Sequence, residues 1–405
     1  MMFSHLPDFA GDPIFELSNR CLRDPRPGKI NLTVGMYYDE AGRIPVLPSV
    51  LATQRLLLEA PQSSSYLPIE GLTAYRHAAQ RLIFGRDSQA LADGRIATIQ
   101  SVGGTGALKI GAEFLHTAYP DSEIWISDPA WSNHFAVFEG AGIRTHRYPY
   151  VDARTGLPSF DSMLQAFEKI PVHGIVLLHG CCHNPSGADL TLPQWEALIQ
   201  LFRQRQLIAF VDLAYQGFGD GVDEDAAAVR LLAQSGLAFL VASSFSKNFA
   251  LYAERCGSLS VVCQDAAHTD RVTGQLAAAV RRTYSNPPAH GARVIATILD
   301  SPELAAQWRA EVDAMRGRIL HMRALAHEQL AHKAPGYQAD YLIRQKGMFS
   351  LTGLSRPQII SLREQHGVYL LDSGRLCIPG LNPGNIERFT DALVRVLADC
   401  PVTPG

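Results

Sequence analysis

Five short apolar runs, each breaking off into a polar or glycine-rich turn, constrain this chain more than any other feature. They lie at residues 123–127, 174–179, 207–212, 238–243 and 258–262. Runs of this length, rich in Ile, Val, Leu and Phe, suit strands buried on both faces of a parallel sheet. Helical patterns alternate with them, as at 192–202, where Pro193 sits near the start and its missing N–H does no harm. The alternation predicts an α/β fold, a mostly parallel sheet flanked by helices on both faces. From 301 to 330 the pattern changes. Leu304, Trp308, Val312, Met315, Ile319, Met322 and Leu325 recur every three or four residues, the spacing of one long amphipathic helix. Beyond Tyr337 a small α+β unit is expected, with strands at 347–351 and 374–378. At ~150 residues per domain, 405 residues leave room for roughly two or three domains. The expected arrangement is a large α/β domain and a smaller C-terminal one joined by the N-terminal segment.

Composition narrows the function classes. Apolar residues make up 47% and charged residues 19% of the chain, the balance of a globular protein. A net charge of −3 gives no electrostatic footprint for nucleic acid. No apolar run approaches the ~20 residues of a membrane helix, and residues 1–8 lack the basic flank and apolar block of a secretory signal. Seven cysteines are an odd, sparse set, which argues against a disulfide framework and for a cytoplasmic location. The expectation is a cytoplasmic enzyme with small-molecule substrates and neither a nucleic-acid nor a membrane partner.

Ligands of open α/β sheets bind beyond the carboxyl ends of the strands, and those ends are polar here: Asp128, residues 179–184, 212–215 and 243–247. Lys247 follows a buried strand among hydroxyls. It is either a surface lysine on a loop or a nucleophile whose pKa burial lowers. Asp212 ends an apolar strand, so a half-buried carboxylate is expected, serving as a helix N-cap or pairing with a protonated heterocycle. Tyr215 is close enough to share its crevice. The glycines at 103–106 open a helical pattern and offer free N–H groups to a phosphate, although the turn lacks a nucleotide-loop ending. Cys181 and Cys182 suggest zinc, but adjacent cysteines with no second pair downstream make a poor tetrahedral site, and no metal is expected. The Asn184-Pro185 turn can aim an amide into the crevice. Arg255 follows Lys247 by eight residues, Arg281 and Arg375 fall in loop-like or strand-edge settings, and together they suit a small anionic substrate.

Eight runs in order resemble the class I aminotransferases that use pyridoxal 5′-phosphate, in particular the aspartate and aromatic (tyrosine) subgroup. They are NLTVGMYYDE at 31–40, SYLPIEG at 65–71, GGTGAL at 103–108, HGCCHNPSG at 179–187, DLAYQGF at 212–218, SSFSKNF at 243–249, YSNPPAHG at 284–291 and GMFS at 347–350. The resemblance implies a coenzyme domain at 44–299 and a small domain built from 1–43 and 300–405. It also implies roles for single residues. Lys247 carries the coenzyme covalently and shuttles a proton, and Asp212 pairs with the pyridine nitrogen with His134 behind it. Trp131 stacks on the ring, and Tyr215 and Asn184 bond its phenolic oxygen. Gly104, Thr105, Ser244 and Arg255 hold the phosphate, with Tyr66 reaching in from a partner subunit. Arg375 grips the substrate carboxylate, Arg281 of the partner grips a distal one, and Gly35 and Phe349 complete the substrate site. The implied assembly is a homodimer with shared active sites.

Two substitutions bear on the substrate. The aspartate members of the family carry lysine near position 38 and threonine where Ile44 stands. Tyr38 and Ile44 remove a charge and a hydroxyl and add apolar surface, which favours an aromatic side chain; burying one is worth roughly 2–3 kcal/mol. Arg281 and Asn286 follow the aspartate pattern and suit a dicarboxylate such as 2-oxoglutarate. The expected activity is transfer of the amino group from tyrosine, phenylalanine or aspartate to 2-oxoglutarate. The alternative is an aspartate aminotransferase with minor aromatic activity.

Overall fold

A computed structural model describes residues 2–7, 11–61, 63–152 and 154–399. Its strands, in chain order, are β1 (Ile30–Asn31), β2 (Ile96–Val102), β3 (Ile124–Asp128), β4 (Thr145–Pro149), β5 (Ile175–His179), β6 (Ile208–Leu213), β7 (Phe239–Ser244), β8 (Cys256–Val262), β9 (Phe349–Leu351), β10 (Val368–Tyr369) and β11 (Arg375–Cys377). Seven of them form one sheet in the order β2-β8-β7-β6-β5-β3-β4. The pairs β3–β4, β3–β5, β5–β6 and β6–β7 are parallel. The run at 258–262 departs from the parallel expectation, because β8 pairs antiparallel with both β2 and β7. Apolar content marks a buried strand but not its direction, which the connection decides. Two strands of this sheet, and the short β1 and β10 outside it, escaped the sequence reading. In β2, Thr98, Gln100 and Ser101 interrupt the apolar run, and β4 is a polar strand at the sheet edge.

Alternate side chains of the central strands feed two cores, one on each face. Ile175, Leu177, Phe210 and Leu240 pack with Leu108, Phe138 and Leu276. Val176, Leu178, Val211 and Val241 pack with Trp195, Leu198 and Phe202. Burying a side chain of this size contributes roughly 1.5–3 kcal/mol, so both faces hold the sheet rigidly behind its carboxyl ends. The helix at Gly103–Ala118 lies close on the sheet because Gly111 leaves room: a Cβ there would sit 2.5 Å from Phe210 Cζ.

The long helix predicted at 301–330 spans Pro302–Lys333, capped by Ser301, whose hydroxyl accepts the Leu304 N–H. Beyond it, β9 and β11 pair antiparallel. The N-terminal segment reaches this region through β1, which pairs parallel with β10, Ile30 opposite Val368. Arg323 of the long helix, 1% exposed, donates to the carbonyls of Leu342, Lys346, Gly347 and Phe349 and to Ser350 Oγ. This fixes the segment that carries Phe349. Among the described residues no helix is long and apolar enough to cross a membrane, and the six described cysteines are free and buried.

Candidate active site

The carboxyl ends of β5, β6 and β7 open on a cleft of about 500 Å³. Gly104, Thr105, Trp131, His179, Asn184, Asp212, Tyr215, Ser244, Ser246, Lys247, Tyr252, Arg255, Phe349 and Arg375 line it, with Asp12, Ile14, Phe15, Val34, Gly35 and Met36 from the N-terminal segment. Most of the residues singled out from sequence therefore converge.

Asp212 lies deeper than the half-buried position expected of it. Strand β6 is central in the sheet, and the residue is 5% exposed. It caps no helix; its Oδ2 accepts from Nε2 of the buried His134 at 2.9 Å. Burial pushes the carboxyl up, but the His134 hydrogen bond and the charges of His134, His179 and Lys247 outweigh it and hold it below the usual carboxylate range. Asp212 is thus a fixed anion at neutral pH. The Trp131 ring meets His134 edge-on at 5.1 Å, so one aromatic plane, one imidazole and one carboxylate are positioned together.

Lys247 follows β7, and its Nζ stands 4.6 Å from the centre of the Tyr215 ring. Burial drives its amine down to about 8, opposed by the Asp212 charge and reinforced by Arg255 and Arg375. Lys247 is no ordinary surface lysine. Below pH 8 the amine is mostly protonated and unreactive; above it the amine is free. In the coenzyme-free protein, its modification by an aldehyde or trinitrobenzenesulfonate is therefore expected to rise through a midpoint near pH 8. Exposed lysines titrate near 10.4. A single midpoint near 10.4 would contradict the assignment.

A cradle for an anion lies at the start of the Gly103–Ala118 helix, where free N–H groups and the helix dipole favour negative charge. Gly103 has φ +66°, and a Cβ there would stand 2.6 Å from Arg255 Nη2; one on Gly104 would stand 3.0 Å from Ser244 Cβ. Only glycine lets both side chains approach the helix end. Arg255 donates to Ser246 Oγ at 3.3 Å and to the Tyr252 carbonyl at 2.8 Å. It has no carboxylate partner among the described residues.

On the opposite wall Arg375, 3% exposed, donates to Asn184 Oδ1 at 3.2 Å and to the Thr33 carbonyl at 2.6 Å. Its guanidinium lies 4.2 Å over the Phe349 ring, which meets Tyr215 edge-on at 5.7 Å. Gly35 permits that ring position, since a Cβ would fall 2.5 Å from Phe349 Cζ. No carboxylate among the described residues pairs with Arg375, and its Nε has no partner. A buried cation without a counter-ion is costly to maintain, so Arg375 is suited to an anionic ligand.

Four expected residues stand elsewhere. Tyr66, 91% exposed, and Arg281 line a separate groove with Ser65, Tyr284, Ser285 and Asn286. Arg281 occupies the last turn of the Thr269–Thr283 helix rather than a loop or strand edge, and bonds Ser285 Oγ. Ile44 is 40% exposed, and neither it nor the half-buried Tyr38 lines the cleft. Conversely His179, Ser246, Tyr252 and Met36 line it without having been singled out as site residues. Ser246, Met36 and His179 lie inside the motifs given above, His179 also at a polar strand end, and Tyr252 sits in a loop with no signal. The Tyr252 hydroxyl accepts the Tyr37 N–H at 2.8 Å. Cys181 and Cys182 do meet a third potential ligand, Asp225, with all ligand atoms within 4.8 Å. The Asp225 oxygens already accept the N–H groups of Gly217, Gly219 and Asp220.

Residues 27–393 match the family described as aminotransferase class I and II. The chain belongs to this family. It is 50% identical to the tyrosine aminotransferase of Klebsiella pneumoniae over 98% of this chain and 100% of that one. It is 47% identical to the aspartate aminotransferase of Pseudomonas aeruginosa, with the same coverage. Among solved structures, an aromatic-amino-acid aminotransferase of Burkholderia pseudomallei, covalently bound to pyridoxal phosphate, superposes with a TM-score of 0.96 at 44% identity. That match covers 98% of this aminotransferase and 100% of the other chain.

Proposed function

We propose that this aminotransferase is an aromatic-amino-acid transaminase that works with pyridoxal 5′-phosphate, accepts aspartate as well, and uses 2-oxoglutarate as amino acceptor. The observation that carries the reading is one cleft holding an amine of lowered pKa, a buried ionised carboxylate, an anion cradle and a buried guanidinium with no carboxylate partner among the described residues. That donor set fits the coenzyme: the cradle suits its phosphate, Trp131 its ring face, Asp212 its ring nitrogen, and Asn184 and Tyr215 its phenolic oxygen. When bound, the coenzyme supplies an aldehyde carbon that takes up amines and a ring that withdraws electrons from the substrate α-carbon. Lys247 holds it and carries the proton from the α-carbon. Asp212 keeps a proton on the ring nitrogen. Arg375 anchors the α-carboxylate bidentately, which orients the α-hydrogen toward Lys247. The first substrate leaves as its oxo acid, and 2-oxoglutarate departs as glutamate, a ping-pong exchange.

The exposed Tyr66 and Arg281 share one groove outside the cleft, which supports a homodimer in which each subunit lends both residues to the other's site. The β1–β10 pairing supports a small domain of 1–43 and 300–405 beside a coenzyme domain of 44–299. Free, buried cysteines support a cytoplasmic location.

A comparison of kcat/KM for tyrosine, phenylalanine, tryptophan and aspartate tests the preference. Tyrosine or phenylalanine is expected to match or exceed aspartate. Tyr38→Lys is expected to lower aromatic kcat/KM about tenfold and aspartate kcat/KM by less, since removing apolar surface withdraws a hydrophobic term of roughly 1.5–3 kcal/mol at most. Equal losses would remove Tyr38 from specificity, and negligible aromatic turnover would favour the aspartate enzyme.

A further inference from the structure

The cleft opens outward through a second cavity of about 520 Å³ that shares Trp131, Asn184 and Arg375 with it. The helix Pro13–Arg23 forms one wall, the turn at 129–132 the floor, and the turn at 371–375 the far side. Glu16, Leu17, Arg20 and Arg23 recur at helical spacing and face this vestibule.

Its charged lining is four cations, Arg20, Arg23, Arg363 and Arg375, against two anions, Glu16 and Asp372. Counting Glu364, which pairs with both Arg20 and Arg363, an excess of one positive charge remains, in a chain whose net charge is −3. The arginines are not equivalent. Arg363 is neutralised by Asp372 at 3.1 Å and Glu364 at 3.2 Å, and Arg20 pairs with Glu364 at 2.8 Å. Exposed Arg23 has no ion pair among the described residues. Basic residues in a last helical turn complement the helix dipole, but the dipole does not dictate which side of the helix they occupy. Here both line the same cavity as Arg375.

We infer that this vestibule is an outer anion subsite, in which Arg23 draws dicarboxylate substrates inward ahead of net-neutral zwitterions. The inference rests on the transaminase reading. A concave, low-dielectric passage with an excess of one sign of charge focuses its field and raises the arrival rate of counter-charged ligands. The effect scales with ligand charge: greatest for doubly negative 2-oxoglutarate, smaller for singly negative aspartate, absent for neutral phenylalanine. Arg23 touches no reacting atom, so it acts on capture and not on turnover.

In a ping-pong enzyme, kcat/KM for each substrate reports its own half-reaction, which makes the test direct. At ~10 mM ionic strength, where the Debye length is about 30 Å, Arg23→Gln is expected to lower kcat/KM for 2-oxoglutarate about three- to fivefold. Arg23→Glu is expected to lower it about tenfold, and kcat stays unchanged in both. Aspartate shows a smaller loss and phenylalanine none. In ~1 M salt, where the Debye length is about 3 Å, the differences collapse. Equal losses for all substrates, a fall in kcat, or losses that persist in high salt would overturn the subsite. Failure of the aromatic reading would appear separately, as negligible phenylalanine turnover by the unaltered enzyme, and the charge series would then be read from 2-oxoglutarate against aspartate.

Discussion

Lys247→Ala is expected to abolish multiple turnovers, with a fall in kcat of at least about 10⁴-fold, the upper range for a positioned proton carrier. The same substitution removes the proposed covalent attachment point, so the visible absorbance of protein-linked coenzyme is expected to be lost as well. The physical ground is the amine's setting. Burial lowers its pKa to about 8, and it stands 4.6 Å from the Tyr215 ring in a cleft with Asp212 at its base. Lys247→Arg separates charge from chemistry: it keeps a cation but offers no amine that can be freed near neutral pH, and is expected to be as inactive as the alanine variant. Retained folding, read from the thermal transition of the coenzyme-free protein, distinguishes loss of chemistry from loss of structure. Persistent turnover with unchanged absorbance in either variant would remove Lys247 from the mechanism.

How much of this was legible in the sequence depended on the physical origin of each feature. The central strands β5, β6 and β7 were readable because burial on both faces demands unbroken apolar runs. The edge strand β4 was not, since half of its surface faces solvent and its residues are polar. The direction of β8 was hidden, because direction follows from how the chain crosses between strands. Within the site, residues tied to a local motif were visible: the glycines at the helix start, Lys247 after its strand, Asn184 in its turn. A single position brought in by tertiary packing, such as Tyr252, carried no local signal. The depth of Asp212 could not be read locally either, because its burial depends on β5 and β7 flanking it and on His134 arriving from a separate helix. Tyr38 and Ile44 show the converse. Their chemistry speaks for aromatic selectivity, yet neither lines the cleft of a single chain, so side-chain chemistry at a position does not by itself tell where the fold puts it.

Asp212→Asn is the second large effect. Asparagine keeps the size of the side chain and an oxygen that can accept from His134, so the fold and the 2.9 Å hydrogen bond can persist while the charge is lost. The loss expected in kcat/KM is about 10³-fold, the range for removing one preorganised electrostatic group from a water-excluded site. The sign of the pH dependence follows from the carboxyl itself. Burial alone would raise its pKa into the range where activity failed in weak acid, but His134 and the neighbouring charges hold it below the usual carboxylate range. The anion is therefore present throughout the neutral and weakly acidic range, and the wild-type enzyme is expected to show no loss attributable to Asp212 down to about pH 4, near the ordinary aspartate value. Coenzyme affinity is expected to fall much less than activity, because the cradle formed by Gly104, Thr105, Ser244 and Arg255 is untouched. Asp212→Glu, which restores the charge at a displaced position, is expected to recover part of the rate. Activity within about tenfold of wild type in Asp212→Asn would show that shape and the His134 contact suffice, and the fixed anion would then have no catalytic role.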